Sequence, residues 1–231
     1  MSLLNDTVAW LPDSAQWSGG SGIPWRVAQH LGYTAITVVA ASAVAVPLGL
    51  YVGHTGRWKN TAVLVTVALR ALPTLGLITL IVLLTSVGLT PAIIALAVLC
   101  IPPLLAGIYS GLEAVDPATV DAARAQGMTE TQVITRVELP LAMPLIIGGL
   151  RSAVLQVIAT ATVAAFIGVG GLGRYIIDGL AVRATPRVLG GAIIVVVLAL
   201  LIDALFAVCQ RLAFRHASPA DSHPQLKEKT A

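Results

Sequence analysis

The sequence predicts an all-α integral membrane protein with about five transmembrane helices. Of its 231 residues, 57% are hydrophobic and only 11% are charged, whereas a soluble domain carries about 25% charged residues. Long apolar stretches alternate with short polar ones, and each apolar stretch is long enough to cross a bilayer as a helix. One long polar stretch, residues 116–144, interrupts this pattern in the middle of the chain.

Charged or glycine-rich loops separate the expected spans, which lie at residues 31–52, 61–84, 91–112, 141–169 and 188–209. Arg70 and Pro73 interrupt the second span, and Pro102-Pro103 should break the hydrogen-bond ladder of the third. Residues 170–187 are expected to form a second polar loop. No repeat of spans is visible, which disfavours a secondary transporter with duplicated halves.

The two ends of the chain are expected to lie outside the bilayer core. Residues 1–30 contain three of the four tryptophans, Trp10, Trp17 and Trp25, and they lack the basic and apolar segments of a signal peptide. Because indole rings favour the membrane–water interface, we expect this segment to lie on the outer surface. A disordered segment is the alternative. The polar tail, residues 212–231, is expected to be disordered.

Basic residues indicate the orientation of the five spans. If residues 116–144 face the cytoplasm, eight basic residues lie in inner segments and four in outer segments. The inner ones are Arg57, Lys59, Arg124, Arg136, Arg211, Arg215, Lys227 and Lys229, and the outer ones are Arg26, Arg174, Arg183 and Arg187. Because Lys and Arg favour cytoplasmic segments, we expect the N-terminus outside and the C-terminus in the cytoplasm.

The polar stretch begins with signals for a short helix. Asp116 is a suitable N-cap, and Pro117 falls at the first helical position, where a missing N–H has no cost. The helix should run to about Gln126, because Gly127 can adopt the left-handed conformation that ends a helix.

A second short helix should follow. Thr129 and Gln132 have the spacing of a capping box, and Pro140 should end the helix before it. Ten helical residues measure about 15 Å, too little to span a bilayer. We therefore expect a helix–turn–helix projection at the cytoplasmic surface, called the finger below, with a face that binds a partner.

The finger resembles a signature of ABC importer permeases, which reads Glu-Ala-Ala, three residues, Gly, nine residues, Ile, one residue, Leu-Pro. Asp121 replaces the family's Glu, and Val137 replaces its Ile. The resemblance implies a coupling loop over residues 113–140 that docks into a groove of an ATPase subunit. Its matching residues are Asp121, Ala122, Ala123, Gly127, Val137, Leu139 and Pro140.

Other stretches resemble permeases for quaternary amines such as glycine betaine, choline, carnitine and proline betaine. They are AAFIGVGGLGRYIIDGL at 164–180, RALPTLGLITLIVLL at 70–84, Gln29-His30-Leu31, and Asp203. The resemblance covers about residues 25–215. It implies a type I ABC importer permease fold and an osmoprotectant cargo. It also implies a second permease subunit, identical or different, two ATPases and an extracytoplasmic binding protein. Methionine permeases share a related glycine segment and a five-span plan and are the rival family, so a permease for methionine or another small nutrient is the alternative.

Three ionisable residues, Arg70, Arg151 and Asp203, lie inside expected spans. Charged side chains are costly in lipid and usually face a bundle interior or water. Their similar depths suggest that Asp203 pairs with Arg151 or with Arg70. A pair that holds the spans together is the preferred interpretation, and a substrate site is the alternative.

Residues 168–173 match the dinucleotide-binding pattern G-x-G-x-x-G. That pattern requires a preceding strand and a soluble βαβ unit, whereas a membrane span precedes this one. We interpret Gly168, Gly170, Gly171 and Gly173 as a sharp turn at the outer end of the fourth span. No phosphate-binding P-loop occurs in the sequence, so the chain is not expected to be the ATPase.

The sequence offers no catalytic constellation, no metal-ligand spacing and no cofactor motif, so an enzyme is disfavoured, as is a membrane scaffold. Cys100 and Cys209 fall within spans and are expected to be packing residues. Nothing indicates nucleic-acid binding, and lipid is the expected surrounding. Aromatic residues make up only 5% of the chain and form no cluster that could cage a quaternary amine. In importers that the chain resembles, such a cage belongs to the binding protein.

Overall fold

The computed structural model describes residues 3–214, and throughout that range the regular structure is helical. The helices are α1 (Leu3–Trp10), α2 (Ile23–Thr55), α3 (Lys59–Arg70), α4 (Thr74–Leu84), α5 (Leu89–Glu113), α6 (Pro117–Ala125), α7 (Glu130–Val133), α8 (Leu139–Ala164), α9 (Gly173–Ala181) and α10 (Thr185–Phe214). The first three residues of the expected tail continue α10, and residues 215–231 lie outside the described range.

Four helical segments are long and apolar enough to cross a membrane: α2, α5, α10 and the continuous stretch Glu130–Ile167. The expected second span is two helices, α3 and α4, which meet at an angle of 90°. Pro73 stands at the break as the residue before α4. The chain thus has four straight spans, or five when the bent pair counts as one.

The packing of α2 against α5 shows that the bent pair does carry the chain back across the bundle. The two helices run parallel, because Gly49 faces Ile108 and, four residues on, Gly53 faces Leu112. The start of α5 is therefore at the opposite end of the bundle from the end of α2. Since α3 and α4 are the only connection between these points, they make the fifth crossing.

The first span begins at Ile23 and not at residue 31, as expected from the sequence. Gly22 is extended and Pro24 stands in the first turn, which is a favoured helix start. Trp25 consequently belongs to α2 and not to a separate lead-in. The expected polar loop at 170–187 is also more ordered, because it contains α9.

The two prolines of α5 do not interrupt it, contrary to expectation, and α5 is helical from Leu89 to Glu113. Pro103 has no N–H to donate to the carbonyl of Leu99, four residues earlier. The side-chain amide of Gln156 on α8 donates to that carbonyl instead, at 2.9 Å. In lipid, where no water can satisfy a free carbonyl, this bond makes the proline tolerable.

The expected helix end before Pro140 is also wrong. A π-helical turn, Ile134–Glu138, joins α7 to α8, and the N–H of Leu139 donates to the carbonyl of Ile134. A proline ring ordinarily clashes with the carbonyl four residues earlier. The wider π turn comes immediately before Pro140, so the helix continues and the second helix of the finger is the base of a span.

Two glycines bring α5 and α8 into backbone contact. A Cβ added to Gly107 would lie 2.6 Å from the Cα of Gly149, and one added to Gly149 would lie 2.9 Å from the carbonyl oxygen of Pro103. Small residues permit such close packing between helices in lipid. Gly148, the neighbour of Gly149, faces open space, with nothing within 4 Å of an added Cβ.

We expect Gly149→Ala to destabilise the bundle by about 1–3 kcal/mol, because the added methyl group forces two backbones apart. Gly148→Ala is the matched control, and it should be neutral or slightly stabilising since alanine favours a helix. Thermal unfolding of the purified protein in detergent measures the difference. Equal melting temperatures for the two variants would contradict the close contact.

Candidate functional site

The first helix of the finger has the ends that its sequence predicts. Asp116 caps α6, and its carboxylate accepts a hydrogen bond from the N–H of Ala118 at 2.9 Å. Beyond the helix, Gly127 is left-handed with φ +83°. The N–H of Met128 then donates to the carbonyl of Ala123 at 3.3 Å, which closes the turn.

The capping box of the second helix is also present. The hydroxyl of Thr129 accepts from the N–H of Gln132 at 3.4 Å, and the side chain of Gln132 accepts from the N–H of Thr129 at 2.9 Å. These reciprocal bonds satisfy two donors at the start of α7. The direction of the chain after Gly127 is therefore fixed locally.

One face of the finger is anchored to the bundle. Val120 and Ala123 of α6 are buried together with Val133 and with the ends of α5 and α8. Of the signature residues, Ala123 is buried, and Val137 and Leu139 pack against this cluster. These residues hold the finger in place.

The opposite face is open. Asp121, Ala122, Gly127 and Pro140 are exposed. An open hollow of about 440 Å³ lies beside α6, and its lining includes Ala122, Ala123 and Val137. A partner can therefore reach Asp121, Ala122 and Gly127, while Ala123 and Val137 both anchor the finger and line the hollow.

Charged groups connect the finger to the end of α2. The guanidinium of Arg124 donates two hydrogen bonds of 3.0 Å to Glu130 and lies 3.5 Å from Asp121. The hydrogen bond to Glu130 raises the pKa of Arg124. Glu130 and the buried Glu138 both contact His54, at 3.0 Å and 2.6 Å. No sequence motif marks this histidine, because its partners lie more than 70 residues away.

The intramembrane charges form one pair. Arg151 on α8 donates two hydrogen bonds of 2.6 Å to the two carboxylate oxygens of Asp203 on α10. Gln210 lies 3.5 Å from the same guanidinium. Of the two arginines that the sequence offered as partners, Arg151 makes the contact. Arg70 ends α3 at the bend and is exposed, and its side chain has no hydrogen bond or ion pair with any residue in the range 3–214.

The glycine turn lies at the end of the bundle remote from the finger. Gly168 and Gly171 are left-handed, each with φ +85°. The N–H of Gly171 donates to the side chain of Gln29 at 3.1 Å. A Cβ on Gly170 would lie 2.5 Å from that same oxygen, and Gly173 begins α9. The glycines therefore let the turn approach the start of α2.

His30 completes this junction. Its Nδ1 accepts from the N–H of Leu172 at 3.3 Å, so the ring N–H is at Nε2, which donates to the carbonyl of Ile158 at 2.9 Å. Nearby, the hydroxyl of Tyr175 donates to the carbonyl of Ser21 at 2.7 Å. In the sequence, Gln29 and His30 contribute only to the family resemblance, whereas in the structure both side chains bond to the backbone of the glycine turn.

A family model described as binding-protein-dependent transport system inner membrane component matches residues 45–214. The chain belongs to this family. It is a multi-pass permease of the inner membrane and not an enzyme.

Relatives of the permease transport osmoprotectants according to their names. The choline transport system permease protein OpuBB of Bacillus subtilis is 34% identical over 194 residues, which is 84% of this chain and 89% of that protein. The carnitine transport permease protein OpuCB of Listeria monocytogenes is 37% identical, with coverages of 76% and 80%. The osmoprotectant import permease protein OsmW of Salmonella typhimurium is 32% identical, with coverages of 86% and 92%.

Solved structures share the fold. An inward-facing conformation of the MetNI methionine ABC transporter matches with a TM-score of 0.71 and 21% identity, covering 92% of this permease and 99% of that chain. An amino acid ABC transporter crystallised with histidines matches with a TM-score of 0.67 and 20% identity, covering 94% and 99%. The expected type I ABC importer permease fold is therefore confirmed.

The pair of Arg151 and Asp203 allows a test by charge exchange. Arg151→Asp or Asp203→Arg alone places two like charges together inside the membrane bundle, so the amount of folded permease should fall. The double variant restores opposite charges and should recover a substantial part of that amount. Fluorescence-detected size-exclusion chromatography of solubilised membranes measures it. Absence of any recovery would show that the two charges do not stabilise the bundle through each other.

Proposed function

We propose that the permease forms the translocation pathway of an ATP-driven importer for an osmoprotectant such as glycine betaine, choline, carnitine or proline betaine. The observation that carries this proposal is the identity of 30% or more to permeases named for choline, carnitine, glycine betaine and osmoprotectants in general. It extends over most of both chains. The alternative cargo, methionine, is supported by likeness of fold at 21% identity, which is weaker support for a substrate.

The finger is the proposed docking element for a separate ATPase subunit. Its exposed face, including Asp121 and Ala122, is available to a partner, while Val120 and Ala123 fix it to α5 and α8. A displacement of the finger would therefore move two spans as a unit. Val137, Leu139 and Pro140 contribute by shaping the base of the finger.

A second permease subunit, identical or different, is the proposed partner within the membrane. Arg70 is exposed at the bend between α3 and α4, and a guanidinium in this position requires a polar partner or water. Burial against a second subunit, or exposure to a shared aqueous pathway, would meet that requirement. The remaining exposed apolar faces suit contact with lipid.

We further propose that the N-terminus is extracytoplasmic and the C-terminus cytoplasmic. The excess of basic residues on the finger side supports this orientation. Residues 3–22 and the glycine turn, Gly168 to Gly173, then lie at the outer end, where an extracytoplasmic binding protein would approach. In this arrangement the pair of Arg151 and Asp203 is structural.

The finger can be tested at Gly127. An added Cβ there meets nothing within 4 Å, so φ +83° is the only obstacle to a side chain. Gly127→Val should abolish transport, because β-branched residues resist this conformation, whereas Gly127→Asn should retain much of it. Both variants should still insert into the membrane. Solute uptake and the ATPase activity stimulated by the binding protein are measured on the same preparations. The proposal would be contradicted if Gly127→Val still imported solute with ATP hydrolysis fully coupled to the binding protein.

The cargo can be tested by uptake in cells. Cells that carry this permease with its natural partner proteins should accumulate labelled glycine betaine, choline or carnitine at raised osmotic strength, and deletion of the permease should abolish that uptake. Labelled methionine uptake should be unchanged. Loss of methionine uptake with unaltered uptake of the quaternary amines would overturn the osmoprotectant assignment.

A further inference from the structure

His54 joins α2 to the finger through contacts with charged side chains. It is the second-last residue of α2, and its side chain is only 12% exposed. Its Nδ1 lies 2.6 Å from an oxygen of Glu138, in the π-helical turn, and its Nε2 lies 3.0 Å from an oxygen of Glu130, at the start of α7. One ring therefore holds two carboxylates from a different part of the chain.

The two contacts suit a cationic ring. Each nitrogen faces a carboxylate oxygen, and an imidazolium can donate an N–H to each, whereas a neutral ring can donate to only one ionised carboxylate. The side chain of Glu138 is just 6% exposed, so a cationic partner also offsets the cost of removing a carboxylate from water.

The contacts extend to the surface of the finger. The Glu130 oxygen that contacts His54 also accepts a 3.0 Å hydrogen bond from Arg124 of α6. Arg124 in turn lies 3.5 Å from Asp121, on the exposed face. Charges alternate along this series from Asp121 to Glu138, so each member attracts its neighbours. The series is continuous from the surface that a partner can reach to the end of α2.

The chain itself does not provide this connection. The finger follows α5 directly, and α7 runs through the π turn into α8, so a displaced finger moves these two helices covalently. The chain leaves α2 at Thr55 for α3, on a route that does not include the finger. Direct links between α2 and the polar groups of the finger are therefore made by His54.

We propose that His54 is a positioning residue that couples the finger to α2, so that displacement of the finger moves the first span together with α5 and α8. This inference rests on the proposed docking of the finger to an ATPase. In this arrangement the finger moves α5 and α8 through the backbone, and the ionic clamp adds a direct link to α2, which also packs against α5. Loss of the clamp leaves docking intact but weakens transmission of the movement to α2.

The decisive comparison keeps or removes the charge at one position. His54→Arg retains a cation with a donor fork that can engage two carboxylates, and His54→Gln is neutral. The assay uses proteoliposomes that contain the complete transporter, with the binding protein added. In His54→Gln, the amount of solute imported per ATP hydrolysed should fall by about fivefold or more. His54→Arg should stay closer to the unchanged transporter. A role in packing alone would not separate these variants by charge.

Lys59→Gln is the matched control. Lys59 pairs with Glu113 at the same end of the bundle, and both side chains are 47% exposed. This pair joins α3 to α5 and does not contact Glu130 or Glu138. The control should leave the ratio of solute to ATP unchanged, because exposed ion pairs contribute little. A loss equal to that of His54→Gln would overturn the specific role of His54.

Removal of His54 leaves Glu138 buried without its partner, which can impair folding by itself. The double variant His54→Gln/Glu138→Gln removes the stranded charge, and it should fold while the ratio of solute to ATP stays low. If this folded double variant transports with the unchanged ratio, His54 serves folding alone and the proposal is overturned.

Association of the ATPase with the permease separates this proposal from docking itself. Co-purification of the two subunits should be unchanged in His54→Gln and reduced by a bulky substitution on the exposed face, such as Ala122→Trp. Unchanged co-purification in Ala122→Trp would count against docking by the finger. Reduced co-purification in His54→Gln would count against a role in coupling after docking.

Discussion

The close contact of α5 with its neighbours is the constraint on which the rest of the structure depends. Glycines on both sides let α5 approach α2 and α8, and at Gly107 and Gly149 two backbones touch. In lipid the hydrophobic effect does not drive helices together, so van der Waals packing of small residues becomes decisive. The finger follows α5 directly, and its buried face is fixed by the ends of α5 and α8.

The membrane also requires that every backbone polar group be satisfied within the protein. The chain meets this requirement at two prolines by different means. Pro103 has no N–H for the carbonyl of Leu99, and the side-chain amide of Gln156 donates to that carbonyl in its place. Before Pro140, a π turn widens the helix so that α7 and α8 stay continuous. Because of this π turn, α7, the second helix of the finger, is a continuous extension of α8.

Charges in this permease occupy two environments with different consequences. Arg151 and Asp203 pair between α8 and α10 within the bundle, where their mutual attraction offsets the cost of leaving water. His54, Glu130 and Arg124 form a series at the base of the finger, partly in water. The first arrangement joins two adjacent spans. The second joins a span to the element that we propose meets the ATPase.

The sequence by itself determined the features whose causes are local. Membrane crossing follows from composition, and the caps at Asp116 and Thr129 and the stop at Gly127 follow from residue types at fixed short spacings. The family resemblance also lay in such spacings, so the permease class could be inferred before the fold was known. The position of most spans was predictable for the same reason, since a long apolar run requires no partner to be recognised.

Tertiary structure decided whatever depends on residues far apart in the chain. The helix through Pro103 required Gln156 on α8, and the pairing of Asp203 with Arg151 and not with Arg70 required the packing of α10 against α8. The role of His54 depends on carboxylates 76 and 84 residues away in sequence. Sequence pattern reports the preference of a backbone segment, whereas the energy of a buried polar group depends on neighbours that only folding supplies.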